Sequence, residues 1–106
     1  MISISAQEIA ELFRKAIRGE SKVVVVGCSW NEAYCGDVKV RIDGYDLVIF
    51  NDCDEIDYVD NATAPDGRTC DFESWFEDGI EPIACLTSDE LGKLDIILEN
   101  AEVVSD

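Results

Sequence analysis

Residues 51–60 read NDCDEIDYVD and hold five carboxylates, Asp52, Asp54, Glu55, Asp57 and Asp60, with no basic residue among them. Carboxylates at this density have three uses. They bind a hard cation, they keep a loop solvated, or they present charge to a basic partner. A calcium loop of the EF-hand type needs oxygen ligands at its first, third and fifth positions, glycine at the sixth and glutamate at the twelfth. Counting from Asp52 puts Ile56 at the fifth position and Asp57 at the sixth, and counting from Asp54 puts Ile56 at the third, so the pattern fails from both starts. Any other divalent site would require Asp52, Asp54, Asp57 and Asp60 to converge as the loop folds back. The sequence favours a solvated loop or charge presented to a basic partner without deciding between the two, and no metal is assigned to the stretch.

Other chemistry is narrowed by what the chain lacks. It has no histidine, which removes His-activated serine and cysteine nucleophiles and the familiar His-containing zinc and iron sites. Paired carboxylates could still run glycoside hydrolysis, but 106 residues leave little material for a substrate cleft. No catalytic residue and no cofactor is assigned, and the expectation is a protein that is not an enzyme. The five cysteines, Cys28, Cys35, Cys53, Cys70 and Cys85, are odd in number and include no CxxC pair. That disfavours a disulfide framework and a zinc site built on close pairs. They are expected to be reduced, and most of them to pack as small hydrophobes.

Charge is distributed unevenly. Residues 1–45 hold six acids and six bases, whereas residues 46–106 hold the other 18 acids against Arg68 and Lys93 alone, and so carry the whole net charge of −16. Such a field repels phosphate and opposes direct binding to nucleic acid or an anionic membrane. It attracts a basic protein surface. Glu73, Glu77 and Asp78 form a second acidic patch further along the chain.

The elements that must position these groups are legible in part. The chain is 47% apolar, enough for one packed domain over residues 1–106. It has no apolar run long enough to span a bilayer and no signal-peptide pattern, so a cytoplasmic location is expected. Ser5 and Glu8 form a capping box, and Ile9, Leu12, Phe13, Ala16 and Ile17 recur on one helical face, which predicts a helix over 6–18 stopped by Gly19. Four consecutive valines predict a strand. The alternating VKVRI, the turn dipeptide Asp43–Gly44 and YDLVIF predict a hairpin, giving a three-stranded meander. Residues 51–71 read as a long loop, which in a small domain is often functional. Phe72, Trp75 and Phe76 suit a short helix ended by Gly79, EPIACL a short edge strand, and residues 87–101 a final capped helix. The tail EVVSD is expected to fray. The fold expected is α+β: a small antiparallel sheet of three to four strands with N-terminal and C-terminal helices packed on it. Trp30, Phe72, Trp75 and Phe76 are expected in the core, with Trp30 or Tyr34 an interface anchor only if exposed.

The stretch IDGYDLVIFNDCDEIDYVDNATAPDGR resembles one in small uncharacterised bacterial proteins of the pseudomonad type. The resemblance implies a strand, Asp-Gly, a second strand, the NDCD motif, an acidic-aromatic run and a PDGR turn before a Trp-containing segment. It carries no activity with it. In size and acidity alone the chain is also similar to phage anti-CRISPR proteins, several of which imitate nucleic acid.

The function expected from these observations is a non-enzymatic acidic inhibitor. It would block a basic, nucleic-acid-binding surface of a protein partner such as a CRISPR effector. The binding residues would be Asp52, Asp54, Glu55, Asp57 and Asp60, with Glu73, Glu77 and Asp78 as the second patch. The alternative is a housekeeping domain with a carboxylate metal or small-ligand site.

Overall fold

The computed structural model describes residues 3–105. One six-stranded mixed sheet carries four α-helices. Chain order is α1 (Ala6–Ile17), β1 (Val23–Val26), α2 (Trp30–Ala33), β2 (Cys35–Ile42), β3 (Tyr45–Asp52), β4 (Glu55–Thr63), β5 (Thr69–Asp71), α3 (Phe72–Glu77), a 3₁₀ turn at Pro82–Cys85, α4 (Ser88–Glu99) and β6 (Glu102–Val104). The spatial order is β5-β4-β3-β2-β1-β6, antiparallel throughout except for the parallel β1–β6 pair. The fold is α+β, as the sequence predicts, with more strands than expected.

Helix α1 forms with only half of the expected capping box, because the Glu8 carboxylate is taken by Arg68 and Tyr45. The Ser5 hydroxyl accepts the Glu8 N–H, and the far end closes in a Schellman arrangement. There Gly19, at φ 77°, donates to the Ala16 carbonyl and Glu20 to that of Lys15. Asp43 and Gly44 both take positive φ and close the β2–β3 hairpin. Helix α4 starts at a complete capping box between Thr87 and Glu90 and buries Leu94 and Leu98, each worth about 1.5–3 kcal/mol of burial. Arg14 ties α1 to this corner, donating from Nε to the Glu90 carboxylate at 2.9 Å and from Nη2 to the Cys85 carbonyl at 2.6 Å.

The core lies on one face of the sheet. Val25, Val38, Val40, Ile42, Leu47, Ile49, Val59 and Ala62 point into it and meet Ile9, Phe13, Trp30, Leu94 and Leu98. Trp30 and Trp75 are buried, as expected, and Trp75 donates its indole N–H to the Ile4 carbonyl at 2.9 Å. Phe72 is only half-buried and Phe76 is 69% exposed, so those two leave the predicted core.

Three segments differ from the sequence reading. Residues 51–71 are no long loop: they contain the β3–β4 hairpin, all of β4, and β5. EPIACL holds a 3₁₀ turn instead of a strand, because the Glu81 carboxylate caps the N–H groups of Ile83 and Ala84. The tail is no frayed end, since Glu102–Val104 pairs in parallel with Val24–Val26; Asp106 lies outside the described residues.

Candidate functional site

The hairpin β3–β4 turns through Cys53 and Asp54, both at positive φ. Strand β4 then runs alongside β3 with two register shifts. Asn51 pairs with Ile56 and Phe50 with Tyr58, leaving Asp57 as an extra residue; Ile49 pairs with Val59 and Val48 with Asn61, leaving Asp60 as another. Two of the five predicted carboxylates are therefore the added residues of β-bulges, which bend a strand and re-aim its side chains. Strand β5 pairs only with residues 61–63, so the Glu55–Asp60 part of β4 has no strand on its far side among the described residues. The α4 carboxylate of Asp95 accepts the Ile56 N–H there at 3.2 Å.

An aromatic row crosses this region from sheet to helix. Phe50 and Tyr58 stack at 5.3 Å between ring centres, Tyr58 meets Phe72 at 4.9 Å, and Phe72 meets Phe76 at 5.9 Å. Helix α3 is set in place by Asp71, the last residue of β5, whose carboxylate accepts the Ser74 N–H at 2.9 Å. A shallow groove results, lined by Tyr58, Asp60, Asn61, Asp71, Phe72 and Glu73. Loss of solvent raises the Tyr58 pKa, and the negative charges of Asp60, Asp37 and Asp57 raise it further. Carboxylates from β2, β4, β5 and α3 thus gather around stacked rings.

The predicted site residues divide into three places. Asp57, Asp60 and Glu73 belong to the Tyr58 region. Asp52, Asp54 and Glu55 lie at the β3–β4 turn, where one Asp54 carboxylate oxygen is buried without a hydrogen-bond partner. Glu77 and Asp78 are exposed at the C-terminal end of α3, the end at which the helix dipole disfavours negative charge. The four aspartates of the imagined metal loop do not gather. Among the described residues the one group of three ligand atoms within 4.8 Å of one another comes from Cys35, Asp52 and Cys53. These two cysteines are exposed, and Cys28, Cys70 and Cys85 are half-buried.

Sequence reasoning missed Asp37, the aromatic row and the capping role of Asp71. The signal for Asp71 was present, since an aspartate three residues before Ser74 opens a helix. Arg68 pairs locally with Asp66 and also reaches Glu8 on α1 through two hydrogen bonds of 2.9 and 2.8 Å. Tyr45 donates to the same carboxylate at 2.6 Å. The Arg68 hydrogen bonds hold the Glu8 carboxyl below its usual range. This network is structural: it pins α1 to β3 and to the β4–β5 turn.

Residues 3–100 match the profile of a domain of unknown function, DUF7693. The chain belongs to that family. The match covers all the strands but β6 and brings in no activity, in keeping with the uncharacterised family that the NDCD and PDGR motifs resemble. No curated protein and no solved structure matches the chain. No helix among the described residues is long and apolar enough to cross a membrane.

Proposed function

We propose that the chain is a non-enzymatic acidic binding protein that occupies a basic, nucleic-acid-binding surface of a protein partner. The observation that carries this reading is the groove at Tyr58, where carboxylates from several elements surround stacked rings. A nucleic-acid-binding surface offers arginine and lysine to phosphates and grips bases by stacking. The groove presents a counterpart to both. A guanidinium can lie over Tyr58 or Phe72 and fork onto Asp60 or Glu73. The net charge of −16 adds long-range attraction that salt weakens. A CRISPR effector or another defence protein with a cationic groove is the concrete partner class.

A second reading rests on a different observation. The far side of residues 55–60 has no strand partner, and acidic side chains on such an edge block pairing with other chains. On that reading Asp57 and Asp60 protect the edge and bind nothing.

The test is capture from a bacterial lysate at low salt, followed by elution with rising salt. Tagged native chain is compared with a D57N/D60N/E73Q variant. Partner binding predicts that a nucleic-acid-binding protein is retained by the native chain and released at lower salt from the variant. Edge protection predicts no specific capture by either, together with self-association of the variant.

A further inference from the structure

Cys35 opens β2 and stands directly across the ladder from Asp52, the last residue of β3. Cys53 follows Asp52 in the hairpin turn, where a φ of 54° takes it out of the strand. The turn brings its thiol back to the same spot. Both sulfurs and an Asp52 carboxylate oxygen lie within 4.8 Å of one another, and all three residues are exposed to solvent.

We propose that Cys35, Cys53 and Asp52 form a binding site for a thiophilic divalent cation of the zinc type, with its fourth position open. The chemistry fits the donors. Thiolates select soft and borderline metals over calcium or magnesium, and a Cys/Cys/carboxylate set with one open position is a tetrahedral zinc arrangement. Metal–sulfur bonds of about 2.3 Å and metal–oxygen bonds of about 2.0–2.2 Å put ligand atoms roughly 3.5–3.8 Å apart. The exposed side chains reach that spacing by a shift of about 1 Å. Two thiolates already neutralise the dication, the carboxylate makes the site net negative, and the acidic surface raises the local cation concentration.

The backbone of this corner is fixed before any ion arrives. Asp54 donates its N–H to the Tyr34 carbonyl at 3.1 Å. The Asp54 carbonyl accepts the Trp30 indole N–H at 3.3 Å, and the Trp30 carbonyl accepts the Asn51 side-chain amide at 2.8 Å. Three of the four non-glycine residues at positive φ among the described residues, Tyr34, Cys53 and Asp54, sit here. Such strain persists only where surrounding structure holds it. The Tyr34 phenol touches Cys53 and is an outer partner for that ligand. Its hydrogen bond lowers the Cys53 pKa, but the Cys35 hydrogen bond, burial and neighbouring negative charge outweigh it and hold the thiol up. A thiol gives up its proton when it binds the ion, so affinity rises with pH.

Reduced, metal-free protein is titrated with cobalt(II), a spectroscopic stand-in for zinc. The expected result is thiolate-to-cobalt charge-transfer absorption that saturates at one ion per chain and is abolished by added zinc. C35S and C53S remove the absorption, and D52N lowers the affinity at least about tenfold. C28S and C70S leave it unchanged. Circular dichroism confirms that the serine variants fold, as expected for exposed positions. The proposal is overturned if no such absorption develops in folded protein, or if it survives in the C35S/C53S double variant. It is also overturned if Cys35 and Cys53 close into a disulfide, in preference to binding the ion, in a reducing glutathione buffer.

Discussion

The Tyr58 ring on β4 lies 4.9 Å from the Phe72 ring on α3, tilted by 50°. This contact makes one surface of two stretches that are separate in sequence. It brings the bulge carboxylates of β4 beside Asp71 and Glu73, and it places the rings where an incoming side chain would meet both ring and charge. The binding proposal depends on that arrangement more than on the total charge.

The first prediction concerns the carboxylates. D57N/D60N/E73Q removes three negative charges from the Tyr58 region. Asp60 accepts a hydrogen bond from the Asn61 amide at 2.9 Å, and asparagine there can accept it too. The melting temperature should therefore stay within a few degrees of native. Partner affinity and its salt dependence should both fall, read from binding isotherms at several ionic strengths.

The rings are tested separately from the charge. Phe76 is 69% exposed at the end of the aromatic row, so F76A should leave the melting temperature nearly unchanged. If the row anchors a basic partner, Y58L should weaken binding about tenfold or more, the loss expected of a buried interface aromatic. Near-UV circular dichroism checks that the tertiary packing around α3 is kept.

The Glu8–Arg68 pair sets a pH dependence. The pKa of Glu8 is depressed in the folded protein, chiefly by hydrogen bonding from Arg68. A depressed carboxylate stabilises the fold above its unfolded value and loses that contribution as pH falls through the folded one. E8Q should lower the melting temperature by roughly 4–8 °C near neutral pH. The gap between native and variant should close as pH drops below about 4. Thermal melts across pH 3–7 read this directly.

Asp95 carries the opposite sign. Burial raises its pKa against the lowering effect of the Ile56 N–H, and Glu55 and Glu99 raise it further. Its ionised form costs stability at neutral pH, and the cost is relieved as pH falls through the raised value. D95N keeps an acceptor for Ile56 and removes the charge. It should raise the melting temperature by a few degrees at pH 7, and the gain should vanish in acid, where native Asp95 is itself protonated.

Much of this architecture is legible in the sequence because local signals agree with the final packing. Ser5, Glu8 and Gly19 bound α1, Asp43–Gly44 turns the hairpin, and Thr87 with Glu90 starts α4. Strand β4 is not legible, for a reason its register makes plain. The residues it sends into the core, Ile56, Val59 and Ala62, recur every third position, because each bulge adds a residue between them. That spacing matches neither the alternation of a strand nor the face of a helix, so the segment reads as loop. The acids at the bulges were visible as charge, while their gathering with Asp37, Asp71 and Glu73 depends on pairing across the sheet. Cys35 and Cys53 likewise meet only because β2 and β3 are in register. The tail Glu102–Val104 is too short to declare itself a strand, and it is one only because β1 offers it a free edge.

The account's central claim is that the Tyr58 face takes the place of nucleic acid on a basic partner. The most direct test loads the captured partner with a fluorescent oligonucleotide and follows its displacement by anisotropy as the chain is added. Native chain should release the oligonucleotide, and D57N/D60N/E73Q should need a far higher concentration. If the partner holds chain and oligonucleotide together, or if the variant displaces as well as native, the face at Tyr58 is not the binding surface and the claim is wrong.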